Sequence, residues 1–232
     1  MNKIYSDVKN ENPWDEMSEF YDTYKERVWF GAADNIQSAW PVLIKLIKEK
    51  IPNPSQKLAL DFGCGSGMFC KELNKLGFTT KGIDLSIKLI SLGKQNLNTD
   101  IELLVGDTLT AEQIGKFTLI TAIMVFPFLK DQEIIRLANT IQKDGYLMFV
   151  NHNPGRLAEK GITSLLPFAE TNTYVPIYPR TSEAYDNLLE KLGFSKVFDE
   201  YQKQSDDFIK DYKIKNLSRN PKYHIMGYKR SK

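Results

Sequence analysis

The chain has 232 residues, of which 42% are hydrophobic and 26% are charged, and its formal net charge is +2 at pH 7. This length fits one domain of roughly 100–200 residues with additions, so residues 1–232 are predicted to form a single domain. The composition excludes collagen, disulfide-rich secreted mini-proteins and wholly disordered chains, and the near-neutral charge argues against a dedicated nucleic-acid partner.

Expectations about location and metal binding follow from what the sequence lacks. Cys64 and Cys70 are its two cysteines, too few for a disulfide framework or a four-cysteine zinc site, so no metal is expected. The first residues carry no apolar run of the kind found in signal peptides, and no segment reaches the ~18 apolar residues of a membrane helix. We therefore expect a cytoplasmic protein with no membrane partner.

The first 50 residues are predicted to form helices that act as a lid. A short amphipathic helix is indicated by five residues at helical spacing, namely Met17, Phe20, Tyr21, Tyr24 and Val28. A second helix is predicted over residues 39–50, where Ser38 can cap the first turn and Pro41 fits within that turn.

Between residues 58 and 150, short apolar runs alternate with amphipathic segments. Strands are predicted over residues 58–62, 78–84, 101–105, 117–124 and 146–150. Helices are predicted over residues 68–77, over 87–97 with Ser86 as the cap, and over 131–143. This alternation is typical of a parallel sheet that is covered by helices on both faces.

The alternation ends after Val150. Residues 151–180 contain four prolines and are predicted to form an insert that covers the substrate. A helix over residues 182–192 and strands over 194–201 and 222–229 follow. Because no helix is predicted between the last two strands, we expect them to form an antiparallel pair at one edge of the sheet.

A glycine-rich turn separates the strand over 58–62 from the next helix. Gly63, Gly65 and Gly67 let backbone N–H groups approach a ligand closely, and the helix N-terminus favours a negative group. Ligands of such sheets bind beyond the carboxyl ends of the strands. Met68 stands where a dinucleotide fingerprint needs its third glycine, which argues against the alternative of an NAD(P)-dependent oxidoreductase.

The run LDFGCGSG over residues 60–67 resembles the class I S-adenosyl-L-methionine (SAM)-dependent methyltransferases. GIDLS over residues 82–86 and GDT over 106–108 agree with that family in order, and Asp84 follows Asp61 by 23 residues. The resemblance, which extends over about residues 15–150, implies SAM as the cofactor. It also implies an α/β, Rossmann-like fold: a seven-stranded, mostly parallel sheet with helices on both faces and an antiparallel edge strand.

The resemblance also implies which residues bind SAM. Asp84 would accept hydrogen bonds from the ribose hydroxyls, and Asp107 would accept one from the adenine amino group. The same residues are compatible with a helix cap at Asp84 and a simple turn at Asp107. The full expected set is Asp61, Gly63, Gly65, Gly67, Asp84, Leu85, Asp107, Thr108 and Met124.

Methyl transfer from a sulfonium depends mainly on placing the acceptor and excluding water. If a base is needed, the candidates are His152, Tyr21 and Tyr24, with structural roles as the alternative for each. Residues 124–128 depart from the Asn/Asp-Pro-Pro-aromatic run of family members that methylate DNA or amides. We therefore expect a small, partly apolar methyl acceptor bound in a covered pocket, and the alternative is a non-catalytic SAM-binding or partner-binding module.

Overall fold

The computed structural model describes residues 3–4, 12–21, 24, 30–97, 101–168, 173–215, 218 and 220–231. The N-terminal part contains strand β1 (Lys3–Ile4), helix α1 (Pro13–Glu16) and helix α2 (Phe30–Asp34). A π-helical turn (Asn35–Ala39) joins α2 to helix α3 (Trp40–Lys50).

The prediction of α3 is confirmed, but the prediction that Ser38 caps it is wrong. The Ser38 hydroxyl donates to Asp34 Oδ1 at 2.8 Å and accepts from the Ser205 N–H at 2.9 Å, because the helical path already begins before Ser38. The amphipathic helix predicted around Met17 is not found in the described part, where residues 17–21 form turns and a bend. Val28 lies outside the described residues.

The rest of the chain continues the alternation of strands and helices. The strands are β2 (Leu58–Phe62), β3 (Thr79–Asp84), β4 (Glu102–Val105), β5 (Phe117–Ile123), β6 (Ile141–His152), β7 (Leu165–Phe168), β8 (Thr173–Pro176), β9 (Phe194–Gln202) and β10 (Tyr223–Arg230). The helices are α4 (Met68–Lys75), α5 (Ile87–Asn96), α6 (Thr108–Ile114), α7 (Asp131–Asn139), α8 (Pro154–Glu159), α9 (Ser182–Leu189) and α10 (Asp206–Asp211).

Seven strands of the described residues form the main sheet, in the order β4-β3-β2-β5-β6-β10-β9. Strand β10 is antiparallel to both β6 and β9, and the other neighbouring pairs are parallel. The predicted fold class, with its antiparallel pair at one edge, is therefore confirmed, and β10 is the inner strand of that pair. Strands β1, β8 and β7 form a separate small sheet.

The sheet is buried on both faces because its strands alternate between them. Leu119 and Met148 pack against α3 and α4 on one face. Ile120 and Leu147 pack against α7 and α9 on the other face. Among the helices of the described residues, none is long and apolar enough to cross a membrane.

Five local features differ from the sequence predictions. Helix α7 ends at Asn139 rather than at residue 143, because the Thr140 hydroxyl donates to Leu137 O at 2.7 Å and Ile141 already pairs with Phe117 in the sheet. Helices α6 and α8 and the β7–β8 hairpin were not predicted. Helix α10 interrupts the connection between β9 and β10, which was predicted to be non-helical.

Candidate functional site

A cavity of about 950 Å³ lies beyond the carboxyl ends of β2, β3, β5 and β6. Its walls include the glycine-rich turn at one end, residues of α8 at the other, and parts of the N-terminal segment and of the β7–β8 hairpin. The volume is at the upper end of the ~300–1,000 Å³ typical of ligand pockets. The cavity therefore has room for a nucleoside-sized ligand and a second small molecule.

The glycine-rich turn brings the backbone against this cavity. Gly63, Gly65 and Gly67 all have positive φ angles, of 72°, 56° and 79°, which L side chains rarely adopt. At Gly63 a Cβ atom would lie 2.2 Å from the Val125 Cγ2 atom. A glycine is therefore required there both by backbone conformation and by the close approach of the loop after β5.

Asp84 ends β3 and fastens this turn to the sheet. Its Oδ2 atom accepts from the Gly65 N–H and its Oδ1 atom from the Ser86 N–H, both at 2.8 Å. Burial raises the pKa of the carboxyl, although these two bonds oppose the shift. Asp84 lines the cavity, and each carboxylate oxygen keeps a further lone pair for a ligand donor.

Asp61 lies deeper, at the base of the turn. Its Oδ1 atom accepts from the Thr121 hydroxyl at 2.7 Å, and the Cys70 thiol lies 3.8 Å from Oδ2. Burial raises the pKa of Asp61 to about 7. Cys70 and Cys64 are free and buried, and no cluster of three metal-ligating side chains occurs among the described residues.

Asp107 and Thr108 lie where β4 leads into α6. Asp107 is exposed and caps α6, with its Oδ1 atom accepting from the Leu109 and Thr110 N–H groups at 2.8 and 3.3 Å. The Thr108 hydroxyl accepts from Arg136 Nη1 at 3.1 Å. Both residues line the cavity, so the cap and a ligand contact through the second Asp107 oxygen are compatible.

Two predicted residues supply apolar surface near the turn. Leu85 follows Asp84 and is 51% exposed, although it lines the cavity. Met124 directly follows β5 and has a φ of 62°, and its N–H donates to Val150 O at 2.7 Å. A left-handed conformation is uncommon for a non-glycine residue, and such strain is frequent at functional sites.

The N-terminal segment and the β7–β8 hairpin meet above the cavity and form what we call the roof. Met17 and Val175 are buried against one another there, and the Trp14 and Phe128 rings pack edge to face with centroids 4.8 Å apart. Asp15 links the N-terminal segment to helix α5, because its Oδ1 atom accepts a hydrogen bond from the Lys88 N–H at 3.1 Å.

The two tyrosines predicted as candidate bases occupy different places. Tyr21 lines the cavity beside the roof, with its ring 6.4 Å from that of Trp14. The Tyr24 hydroxyl donates to Ser66 O in the glycine-rich turn at 3.3 Å. Tyr24 therefore helps to hold the glycine-rich turn, whereas Tyr21 lies at the cavity wall.

His152 ends β6 and lines the opposite part of the cavity. Burial lowers its pKa to about 3, and the nearby charges of Lys222, Lys160 and Arg156 add to the effect. The imidazole is therefore neutral at neutral pH, and it is a weak base.

Sequence reasoning missed the π-helical turn and the charged residues around His152. Asn35 and Trp40 line the cavity, and within the described part of the chain Asn35 Oδ1 and Trp40 Nε1 are buried without hydrogen-bond partners. A π-helical turn is often found at functional sites. No periodic pattern marks it in the sequence, because the helical spacing simply continues into α3.

Residues 33–197 match the family described as a methyltransferase domain. The ubiquinone biosynthesis O-methyltransferase of Xanthomonas campestris pv. campestris is 25% identical over 167 residues, which cover 64% of this chain and 70% of that protein. The protein of the same name from Thiobacillus denitrificans is 21% identical over 164 residues, 68% of each chain.

Solved structures share the fold. The magnesium protoporphyrin IX methyltransferase of Synechocystis PCC 6803 with bound SAH has a TM-score of 0.66 at 19% identity, with 94% of each chain covered. The N-methyltransferase NodS of Bradyrhizobium japonicum WM9, in complex with S-adenosyl-L-homocysteine (SAH), has a TM-score of 0.65 at 14% identity, covering 96% of this chain and 100% of that one.

Proposed function

The chain belongs to the methyltransferase domain family, with SAM as its cofactor, and we propose that it transfers the methyl group of SAM to a small, partly apolar molecule. One observation carries the choice of acceptor class: the glycine-rich turn and an apolar, roofed compartment share a single cavity. A cofactor bound at the turn would therefore face an acceptor that is enclosed on the other side.

The residues at the turn fit SAM. Gly63 leaves its backbone open to the cavity at a point where a side chain would collide with Val125. The carboxylate of Asp84 retains acceptor capacity for the ribose hydroxyls. Asp107 offers its second oxygen to the adenine amino group, and Leu85 offers an apolar surface to the adenine ring. The remaining proposed contacts come from Asp61, Gly65, Gly67, Thr108 and Met124.

When bound, SAM would supply an electrophilic methyl group on its sulfonium, and SAH would be released with the C–S electron pair as the acceptor atom bonds to the methyl carbon. The protein contributes by fixing the acceptor in that line and by excluding water. His152 is too weak a base to remove a proton from a poorly acidic acceptor, but its neutral ring can hydrogen-bond to an acceptor hydroxyl. Tyr21 is placed to orient the acceptor, and Tyr24 to hold the turn.

The segments above the cavity support a small acceptor. Residues 1–50 and 151–180 both contribute described side chains to the roof and the cavity wall, among them Trp14 and Val175. A roof packed from buried aromatic and aliphatic side chains shields the reaction from water and leaves little access for a macromolecule. The curated relatives are named for ubiquinone biosynthesis and one structural neighbour for a magnesium porphyrin, which are small molecules.

The proposal is tested by incubating the protein with SAM labelled in the methyl group and a cell extract separated into small molecules, proteins and nucleic acids. We expect the label to enter the small-molecule fraction, and to be lost when the Gly63→Ala variant replaces the wild type. Label in the protein or nucleic-acid fraction would contradict the acceptor class. Binding of SAM without transfer to any fraction would favour a non-catalytic SAM-binding module.

A further inference from the structure

Apart from Lys130 and Glu133 at the start of α7, the charged residues that line the cavity are segregated along the sheet. The carboxylates of Asp61, Asp84 and Asp107 lie at the end formed by β2, β3 and β4. The opposite end, at β6 and β10, carries cations instead. The acidic end suits a cationic sulfonium and hydroxyl donors, whereas the basic end suits a negatively charged group.

The basic end consists of Arg156, Lys160 and Lys222, which surround His152; we call these three cations the basic cluster. Arg156 and Lys160 are four residues apart at α8, and Lys222 directly precedes β10, whose first residue pairs with His152. All three line the cavity. They are close enough to act on one another, since burial together with the charges of Arg156 and Lys160 lowers the pKa of Lys222 despite its ion pair.

Only part of this positive charge is balanced by the protein. Lys222 pairs with the buried carboxylate of Asp34 at 2.6 Å. The Arg156 guanidinium donates to Asn220 O at 3.2 Å, which is a neutral acceptor. Within the described part of the chain, neither Arg156 nor Lys160 forms an ion pair, so two positive charges at the cavity wall lack an anionic partner.

Next to the basic cluster the cavity wall is apolar. Leu157 lies between Arg156 and Lys160 in the chain and is buried, Ile162 lines the same cavity, and Leu166 and Val175 line it from the roof. A ligand that satisfies this part of the cavity has an apolar body and a negatively charged end. Arg156 is half-buried and Lys160 is exposed at this wall, and both can hold an anion through charge-assisted hydrogen bonds.

We propose that the methyl acceptor carries an anionic group, a carboxylate or a phosphate, which binds Arg156 and Lys160 while its apolar body lies under the roof. This inference rests on the proposed function, because it assigns the acceptor to the part of the cavity that SAM leaves open. Neither Arg156 nor Lys160 takes part in the chemistry; they determine which molecules bind and how these are oriented.

The test uses two fluorescent probes of nearly the same shape. 8-Anilinonaphthalene-1-sulfonate has an apolar body and one negative charge, and N-phenyl-1-naphthylamine is its uncharged counterpart. Both are titrated into protein saturated with SAH, so that the cofactor end is occupied. We expect the anionic probe to bind more tightly to the wild type than the neutral probe does.

Two double variants with the same change in net charge are compared. Arg156→Gln with Lys160→Gln removes the unbalanced cations, and Lys94→Gln with Lys191→Gln removes two exposed lysines that do not line the cavity. Lys222 is left intact because its loss would leave the buried Asp34 carboxylate without its cationic partner. The first variant is expected to weaken the anionic probe about tenfold, with a change of less than about twofold for the neutral probe.

An equal loss for both probes, an unchanged affinity for the anionic probe, or an equal effect of the Lys94/Lys191 variant would overturn the proposal. A parallel titration with SAM separates it from the proposed function: a wild type that does not bind SAM refutes the function, whereas SAM binding with an insensitive anionic probe refutes the basic cluster alone. Displacement of the anionic probe by phenylacetate or by phenyl phosphate, but not by phenylacetamide, identifies the charged group.

Discussion

Replacing Asp84 with alanine tests both roles that the structure gives to its carboxylate. The substitution removes two hydrogen-bond acceptors, for the Gly65 and Ser86 N–H groups, each bonded at 2.8 Å. Bonds to a charged group contribute about 1.5–3 kcal/mol each, but water in the cavity can solvate the Gly65 N–H, and burial already disfavours the charge. We expect a net loss of about 2 kcal/mol in the free energy of unfolding.

The loss of SAM affinity is expected to be larger than this local loosening alone explains. If the carboxylate accepts the ribose hydroxyls, its removal costs about 1.5–3 kcal/mol of binding energy, or about 10- to 150-fold in Kd. The assay is isothermal titration of the wild type and the Asp84→Ala variant with SAH and with an SAH analogue that lacks both ribose hydroxyls.

The analogue separates the two roles. The wild type should prefer SAH over the analogue, and the Asp84→Ala variant should have lost that preference. If both proteins show the same ratio of the two affinities, Asp84 holds the turn but does not contact the ribose, and the assignment is refuted.

Two further predictions concern the turn and the buried titratable groups. Gly63→Ala forces a Cβ to within 2.2 Å of Val125 and should abolish SAM binding. Gly115 also has a positive φ, but no atom lies within 4 Å of an added Cβ, so Gly115→Ala should cost about 1 kcal/mol of stability and leave SAM binding unchanged. Equal effects of the two variants on SAM binding would contradict the close-approach argument. The folded-state pKa of Asp61 is raised from 3.8 to about 7, so the contribution of Asp61 to stability is present below pH 4 and is lost as the pH rises towards 7. The folded-state pKa of His152 is lowered from 6.5 to about 3, so the contribution of His152 is present above pH 6.5 and is lost as the pH falls. Between pH 4 and 6.5 the slope of the free energy of unfolding against pH, followed by urea denaturation, should therefore be more positive than in the wild type for Asp61→Asn and more negative for His152→Gln. Slopes equal to that of the wild type in both variants would refute these shifts.

The parts of the fold that sequence patterns predict are those in which a local signal and tertiary packing agree. Strand β2 is a short run, apolar except for Asp61, that ends at glycines, and both its bounds and the turn follow from that. The Ser86 cap of α5 is confirmed by its bond from the Leu89 N–H at 3.1 Å. At Ile141 the local sequence signal and the tertiary packing disagree. The residue continues the apolar stripe of α7, but it lies in β6 and pairs with Phe117 in the sheet.

Of the candidate site, the sequence indicates the residues of the proposed cofactor end and, at the proposed acceptor end, His152 and the 151–180 insert, but it misses the charged residues around His152. The glycines and carboxylates at the cofactor end follow successive strands, so short motifs in chain order mark them. The acceptor end depends on contacts between distant parts of the chain. Lys222 and Asp34 are 188 residues apart, and Arg180 binds Leu129 O at 2.8 Å from beyond the hairpin, and no local pattern connects such pairs.

The most direct measurement is a crystal structure of the protein with SAH. We predict that the two ribose hydroxyls lie within about 3.2 Å of the Asp84 carboxylate oxygens, that the adenine rests on Leu85 beside Asp107, and that the sulfur points along the cavity towards His152. A nucleoside lodged in another part of the cavity, or an Asp84 side chain directed away from the sugar, would contradict the account.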